Sequence, residues 1–274
     1  MRDEDCVGFL QWCLPRLRLR WAGYRKVRRT VCKRLGRRLR ALGLADLAAY
    51  RAVLEGDSEE WARLDALCRI PISRFYRDRR VFDVLDREVL PALGEAAARA
   101  DDPEIRCWCA GCASGEEVYT LRLIWDLSVG PGRPDVRLSV LGTDADEVML
   151  ARAAAACYRP SSLKDAPPAW PARAFRREGG LLCLGPAFRS GVGFRRQDIR
   201  TTRPEGPFDL VLCRNLVFTY FDPGLQEEVL DAISRRLRPG GFFVLGAHER
   251  LPAGAAGFVP AAVRVPIFRK IARP

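Results

Sequence analysis

Apolar residues Tyr24, Val27, Val31, Leu35, Leu39 and Leu42 recur every three or four positions, with arginines between them. That is the period of one buried helix face. Gly43 offers the stop, because the residue just past a helix end commonly takes a positive φ. The same period predicts shorter helices over 44–54 and 59–67, so residues 1–68 read as a small all-helical domain. Residues 69–100 read as a linker followed by a connecting helix over 81–93 that ends near Pro91. From Arg106 the rhythm changes. Short apolar runs at 106–110, 136–142, 193–197, 208–213 and 242–246 alternate with helical patterns at 116–127, 147–156 and 225–236. Such alternation predicts a parallel sheet wrapped by helices, an α/β domain over 101–274. Arg238-Pro239-Gly240-Gly241 punctuates before the fifth strand, and 258–271 can add an antiparallel hairpin at the sheet edge. Residues 158–190 carry many prolines and glycines, with one short strand pattern over 181–184. This stretch is too long for an ordinary connection and reads as a functional insertion.

Composition narrows the picture. With 274 residues and 48% apolar content the chain can bury a substantial core. It has no run of 18 apolar residues, so no transmembrane helix is expected. Its first residues are acidic and lack a signal-peptide pattern, so a cytoplasmic location is expected, with the ten cysteines as reduced thiols. Cys107, Cys109 and Cys112 have a superficial ligand spacing. Cys107 and Cys109 share one strand face, Cys112 sits in a glycine turn, and the single histidine, His248, is remote, so no metal is expected. The net charge of +12 is concentrated: no acidic residue lies between Asp5 and Asp46. That gap holds Arg25, Lys26, Arg28, Arg29, Lys33, Arg34, Arg37, Arg38 and Arg40, among others. Such a patch attracts nucleic acid, anionic lipid or an acidic protein, or else is a solvated helix face.

The chemistry sits at the predicted strand ends. Ala110-Gly111-Cys112-Ala113-Ser114-Gly115-Glu116-Glu117 follows the first strand and opens a helix. Gly111 and Gly115 permit close approach of a ligand to the backbone. The two carboxylates suit a helix start but repel a pyrophosphate. They point away from NAD or ATP and toward S-adenosylmethionine, whose sulfonium and amino groups are cationic. Asp144, at the second strand tip, is placed to accept hydrogen bonds from a ribose diol, with Asp146 capping the next helix. Gln197-Asp198-Ile199 at the third tip suits an adenine ring, a polar group for the amine and an apolar one for the face. Cys213-Arg214-Asn215-Leu216 leads the fourth.

These residues resemble the chemotaxis receptor methyltransferases of the CheR type. The resemblance covers nearly the whole chain. It rests on Ser73-Arg74-Phe75-Tyr76-Arg77-Asp78, the 111–117 turn, Gly142-Thr143-Asp144, Pro207-Phe208-Asp209, Cys213-Arg214-Asn215, Tyr220-Phe221-Asp222 and Leu237-Arg238-Pro239-Gly240-Gly241. It implies a class I methyltransferase (Rossmann-like) fold, a mostly parallel seven-stranded sheet with a small all-helical N-terminal domain. It also implies S-adenosylmethionine as cofactor and glutamate side chains of chemoreceptor-like proteins as acceptors. Carried over by position, it implies cofactor contacts at Ser73, Arg77, Glu117, Asp144, Asp198, Ile199, Asn215 and Leu216, to which the turn reading adds Gly111. It places Arg77 and Tyr220 beside the transferring methyl group as the catalytic pair. The chain departs from the family at four places. Pro71 stands where the linker usually has Asn. One extra residue precedes Tyr220. Gly246-Ala247-His248-Glu249 replaces Gly-His-Ser-Glu, and the insertion is rich in proline. A small-molecule O-methyltransferase and a non-catalytic cofactor-binding signalling module are the competing readings. A nucleic-acid enzyme is disfavoured, because the fourth strand tip lacks an Asn/Asp-Pro-Pro-Tyr/Phe sequence.

Overall fold

The computed structural model describes residues 2–255 and 257–271. The chain forms two compact units, one of residues 1–70 with 219–226, the other of 71–218 with 227–274. The first is built on α1 (Asp3–Cys13), α2 (Trp21–Tyr24), α3 (Arg28–Ala41), α4 (Leu47–Gly56) and α5 (Ser58–Cys68). The long stripe that runs from Tyr24 is thus broken at residues 25–27, before α3. Val31, Leu35 and Leu39 of α3 are buried with Phe9, Leu10, Tyr50, Leu54 and Leu64. Helix α4 starts at Leu47, later than the apolar pattern suggests, because the Asp46 carboxylate accepts the Ala49 N–H at 2.9 Å and caps it there. Asp57 caps α5 in the same way. Residues 219–226 join this unit: the Arg20 N–H donates to the Tyr220 carbonyl at 2.8 Å and the Asp222 N–H to the Arg18 carbonyl at 2.9 Å.

The polar centre of this unit is Glu60, only 2% exposed. Its carboxylate accepts from the Arg38 Nε at 2.9 Å and from the Tyr50 hydroxyl at 2.6 Å. The Arg38 hydrogen bond holds its pKa below the usual glutamate range. A depressed carboxylate stabilises the fold above its unfolded pKa and loses that contribution as the pH falls. Glu60→Ala is therefore expected to cost about 1–3 kcal/mol by leaving buried partners unmatched. Thermal unfolding at neutral pH checks this against Glu59→Ala, and the gap between the two variants should narrow toward pH 3–4.

In the second unit, α6 (Arg79–Val84) passes through a wide π-turn (Leu85–Val89) into α7 (Leu90–Ala97). Pro91 therefore does not end the helix, which continues to Ala97 beyond the π-turn. The strands are β1 (Glu104–Ala110), β2 (Arg137–Asp144), β3 (Cys157–Tyr158), β4 (Phe175–Glu178), β5 (Leu181–Leu184), β6 (Val192–Arg196), β7 (Phe208–Leu212), β8 (Leu237–Val244), β9 (Phe258–Pro260) and β10 (Ile267–Lys270). The remaining helices are α8 (Glu116–Ile124), α9 (Glu147–Ala155), α10 (Trp170–Ala174), α11 (Val217–Tyr220) and α12 (Pro223–Arg236). Seven strands form one sheet in the order β6-β2-β1-β7-β8-β10-β9, the first five parallel and the last two antiparallel. The tail hairpin thus lies at the sheet edge. The fifth parallel strand begins at Leu237 and runs through the Pro-Gly-Gly turn, with a register shift opposite Phe208 and Leu210. Trp108, fully buried, donates its indole N–H to the Thr143 hydroxyl at 2.8 Å and so ties β1 to β2.

The insertion carries a second, antiparallel sheet in the order β3-β5-β4. Cys157 faces Cys183 across β3 and β5 and is disulfide-bonded to it; Cys6 and Cys32 are joined likewise. The expectation of reduced thiols throughout is corrected at these four residues: Cys157 and Cys183 lie directly opposite on antiparallel strands, and Cys6 of α1 and Cys32 of α3 have Cα atoms 6.0 Å apart, both within bridging distance. Glu178 lies within 4.8 Å of the Cys157 and Cys183 sulfurs, which as a disulfide offer no thiolate. The other six cysteines are free and buried. Burial pushes the thiols of Cys107, Cys109, Cys112 and Cys213 well up, so they stay protonated. Among the described residues no helix is long and apolar enough to cross a membrane.

Candidate active site

Strand β1 has β2 on one side and β7 on the other, so the order of the sheet reverses there. Ligands of open α/β sheets bind in the crevice beyond the strand ends at such a point. The loop after β1 opens with Gly111 at φ +74°, and the Leu216 side chain lies so close that a Cβ at 111 would overlap its δ-carbon. The Gly111 and Cys112 N–H groups donate to the Thr143 carbonyl at 2.7 and 3.0 Å. The Ala113 N–H donates to Asp144 Oδ2 at 2.8 Å, and the Asp146 N–H to Asp144 Oδ1 at 2.9 Å. Asp144 is thus held rigid by the backbone. A carboxylate offers about four lone-pair sites. Asp146 caps α9, accepting from Val148 and Met149 at 3.0 and 3.2 Å.

Beyond β6, the Gln197 N–H donates to the Asp144 carbonyl at 3.0 Å. The Asp198 carboxylate is gripped by Arg200, with Nη2 at 2.6 Å and Nε at 3.0 and 3.1 Å. Ile199 is buried, and Gln197 Oε1 is buried with no hydrogen-bond partner. An acceptor of that kind is what an exocyclic amine requires. After β7, Asn215 takes φ +56°. Its N–H donates to Glu249 Oε2 at 2.7 Å, and the Gly246 N–H donates to the same oxygen at 2.8 Å. The Asn215 side chain lies on Gly246, where any Cβ would overlap it. Glu249, buried, therefore ties the loop after β7 to the loop after β8. The sequence reading gave it no role, although a carboxylate three residues beyond a strand-end glycine is the available signal.

At the start of α8, Glu116 accepts from the Ser114 hydroxyl at 2.8 Å. Glu117, its side chain 14% exposed, accepts from Arg214 Nη1 at 2.8 Å. Burial raises the Glu117 pKa above the usual carboxylate range, opposed by Arg214. The linker residue Phe75 is fully buried, edge-on to Tyr158 at 4.9 Å and to Phe175 at 5.4 Å. Tyr76 and Asp78 both have left-handed backbone, φ +57° and +63°, and Arg77 lies between them. Arg77 Nη1 donates to the Ile72 carbonyl at 2.6 Å, across the half-buried Ser73. Burial lowers the Arg77 pKa, yet a guanidinium stays charged. The Tyr158 hydroxyl donates to the Ser114 carbonyl at 2.8 Å, joining β3 of the insertion to the loop after β1.

The second unit thus holds Ser73, Arg77, Gly111, Glu117, Asp144, Asp198, Ile199, Asn215 and Leu216. Tyr220 belongs to the first unit, where its ring is 5.0 Å from that of Tyr24. His248 is exposed.

Residues 72–263 match the CheR methyltransferase SAM-binding domain, and residues 26–65 match the CheR methyltransferase all-alpha domain. The chain belongs to the CheR methyltransferase family. Among CheR-like relatives, the chemotaxis protein methyltransferase of Salmonella typhimurium is 33% identical over 229 residues, 80% of this chain and 75% of that one. The chemotaxis protein methyltransferase of Listeria innocua is 32% identical over 186 residues, 68% of each chain. An uncharacterized 104.1 kDa protein of Rhodobacter capsulatus is 34% identical over 224 residues; the match takes in 81% of this chain but only 23% of that protein. The class I methyltransferase sheet and the all-helical N-terminal domain are those of the CheR family, and S-adenosylmethionine is its cofactor. The donor set fits that cofactor: carboxylates at Glu117 and Asp144 for its cationic and diol groups, an orphaned acceptor at Gln197, and no Cβ at Gly111.

Proposed function

We propose that the protein is a protein-glutamate carboxyl O-methyltransferase of the chemotaxis type, acting in the cytoplasm on an acidic, chemoreceptor-like protein. The observation that carries this reading is its likeness, across two thirds or more of their length, to chemotaxis protein methyltransferases. The site chemistry agrees. S-adenosylmethionine, when bound, presents a methyl group on a sulfonium; a carboxylate oxygen takes the methyl as the carbon–sulfur bond breaks toward sulfur. A carboxylate is already ionised at neutral pH, so this chain needs alignment and desolvation, not a general base. Asp144 and Glu117 would hold the cofactor, the one through its diol and the other through its cationic groups. Arg77 orients the acceptor carboxylate through charge-assisted hydrogen bonds. The test is incubation with methyl-labelled S-adenosylmethionine and cell lysate. Base-labile label on protein supports the ester; label on small solutes moves the acceptor to a metabolite, the small-molecule reading.

The basic face of α3 supports an acidic acceptor. Arg28 pairs with Asp3, Arg34 with the Leu67 carbonyl and Arg38 with Glu60. Arg29, Lys33 and Arg37 are exposed and recur every four residues along one side of the helix. Charge of this kind speeds encounter with an oppositely charged partner. Reversing Arg29, Lys33 and Arg37 to Glu is expected to slow methylation at low salt roughly tenfold or more and to flatten its salt dependence. An unchanged rate and salt slope would make the row a solvated face.

A further inference from the structure

Arg214 follows β7, has a side chain only 3% exposed, and reaches two segments distant in sequence. Its Nη1 donates to Glu117 Oε2 at 2.8 Å. Its Nη2 donates to the Arg77 carbonyl and to Asp78 Oδ2, both at 2.8 Å. The guanidinium lies over the Phe82 ring, 4.8 Å from its centroid. We infer that Arg214 is a positioning residue: one guanidinium sets both the carboxylate that meets the cofactor and the linker turn that presents Arg77. This rests on the roles given to Glu117 and Arg77 above.

The geometry supports it in two ways. The turn at 76–78 contains two non-glycine residues in left-handed conformation, which persist only where surrounding structure over-determines them. The Tyr76 N–H to Thr120 Oγ1, at 3.2 Å, and the Arg214 bonds supply that determination. Arg214 is also the cation closest in effect to Glu117. The other charged and titratable groups facing Glu117 are Arg77 of the linker and Glu249 beyond β8, with the thiols of Cys109, Cys112 and Cys213. The thiols are uncharged at neutral pH, and Glu249 is bound to the N–H groups of Asn215 and Gly246. Without Arg214, Glu117 would keep only Arg77 as counter-charge against Glu249 and a desolvated pocket, so it would take up a proton at higher pH and stop accepting from a cationic amine. The rigid planar fork fixes Nη1 on one segment and Nη2 on the other in a set geometry, a constraint that the rotatable donors of an ammonium do not impose.

The experiment is calorimetry with S-adenosylhomocysteine from pH 6 to 8.5, on the full chain and on Arg214→Met, Arg214→Lys, Glu117→Gln and the Glu117→Gln/Arg214→Met double variant. In Arg214→Met the weakening of affinity on acidification should set in about one pH unit or more above the wild-type onset, steepening toward about tenfold per unit. In the double variant that dependence should vanish. Arg214→Lys should keep nearly the wild-type pH profile, while hydrogen exchange of the Tyr76–Asp78 amides accelerates several-fold, because charge is retained and the fork is lost. Superimposable pH profiles for wild type and Arg214→Met overturn the inference. If Arg214→Met does not fold, unchanged exchange at 76–78 in Arg214→Lys overturns it. Absence of any binding by the wild type would instead defeat the cofactor reading itself.

Discussion

Arg77→Ala is expected to lower methyl-transfer turnover by roughly two to three orders of magnitude, or about 2–4 kcal/mol in barrier. Its affinity for S-adenosylhomocysteine should change no more than a few-fold. The separation follows from where the side chain comes from. Arg77 is carried by a linker whose backbone is pinned on both sides, by Phe75 N–H to the Ser162 carbonyl at 3.0 Å and by Arg214 to the Arg77 carbonyl at 2.8 Å. Truncating the guanidinium therefore leaves the turn in place and removes a charge-assisted contact from a largely desolvated position. Arg77→Lys should recover only part of the loss, since an ammonium cannot make two parallel bonds to one carboxylate. Single-turnover kinetics on a confirmed acceptor decide the matter. Full turnover in Arg77→Ala would reduce this arginine to a staple on the Ile72 carbonyl.

Asp144→Ala is expected to weaken S-adenosylhomocysteine binding by about 1–3 kcal/mol, up to roughly two orders of magnitude in Kd. Two effects add. The ribose acceptor is lost, and so is the bond that holds the Ala113 N–H and with it the loop that starts at Gly111. Asp144→Asn separates them, because an amide oxygen can still take one N–H while its NH2 confronts the other. Calorimetry on both variants, alongside their melting temperatures, distinguishes a ligand group from a local brace. Equal affinity in wild type and Asp144→Ala would leave Asp144 only the brace.

Much of this architecture was legible because it is local. The Gly-rich turn after β1, the cap at Asp146, the tail hairpin and the short strand over 181–184 each follow from a few neighbouring residues, and each is where the sequence puts it. Arg214 and Glu117 are 97 positions apart, and Asn215 and Glu249 are 34 apart. No periodicity reports such pairings, because burial at one point in space, not spacing along the chain, creates the demand for a counter-charge. The left-handed turns at Tyr76, Asp78 and Asn215 were hidden for a related reason. Asp and Asn tolerate that backbone without demanding it, and Tyr76 does not favour it at all, so tertiary hydrogen bonds hold the tyrosine there. The disulfide between Cys157 and Cys183 depended on strand register, which cysteine count cannot give.

The hydroxyl of Tyr158 couples two parts of the chain that read as separate in the sequence. Residues 158–190 look like an exchangeable module, yet their first strand reaches into the floor of the cofactor loop at Ser114, and the Tyr158 ring also meets Phe75 of the linker. Substitutions that displace this strand are therefore transmitted to the loop after β1. Variants that preserve that one tyrosine bridge leave the loop undisturbed, and chimeras cut downstream of it should tolerate foreign insertions that chimeras cut upstream do not.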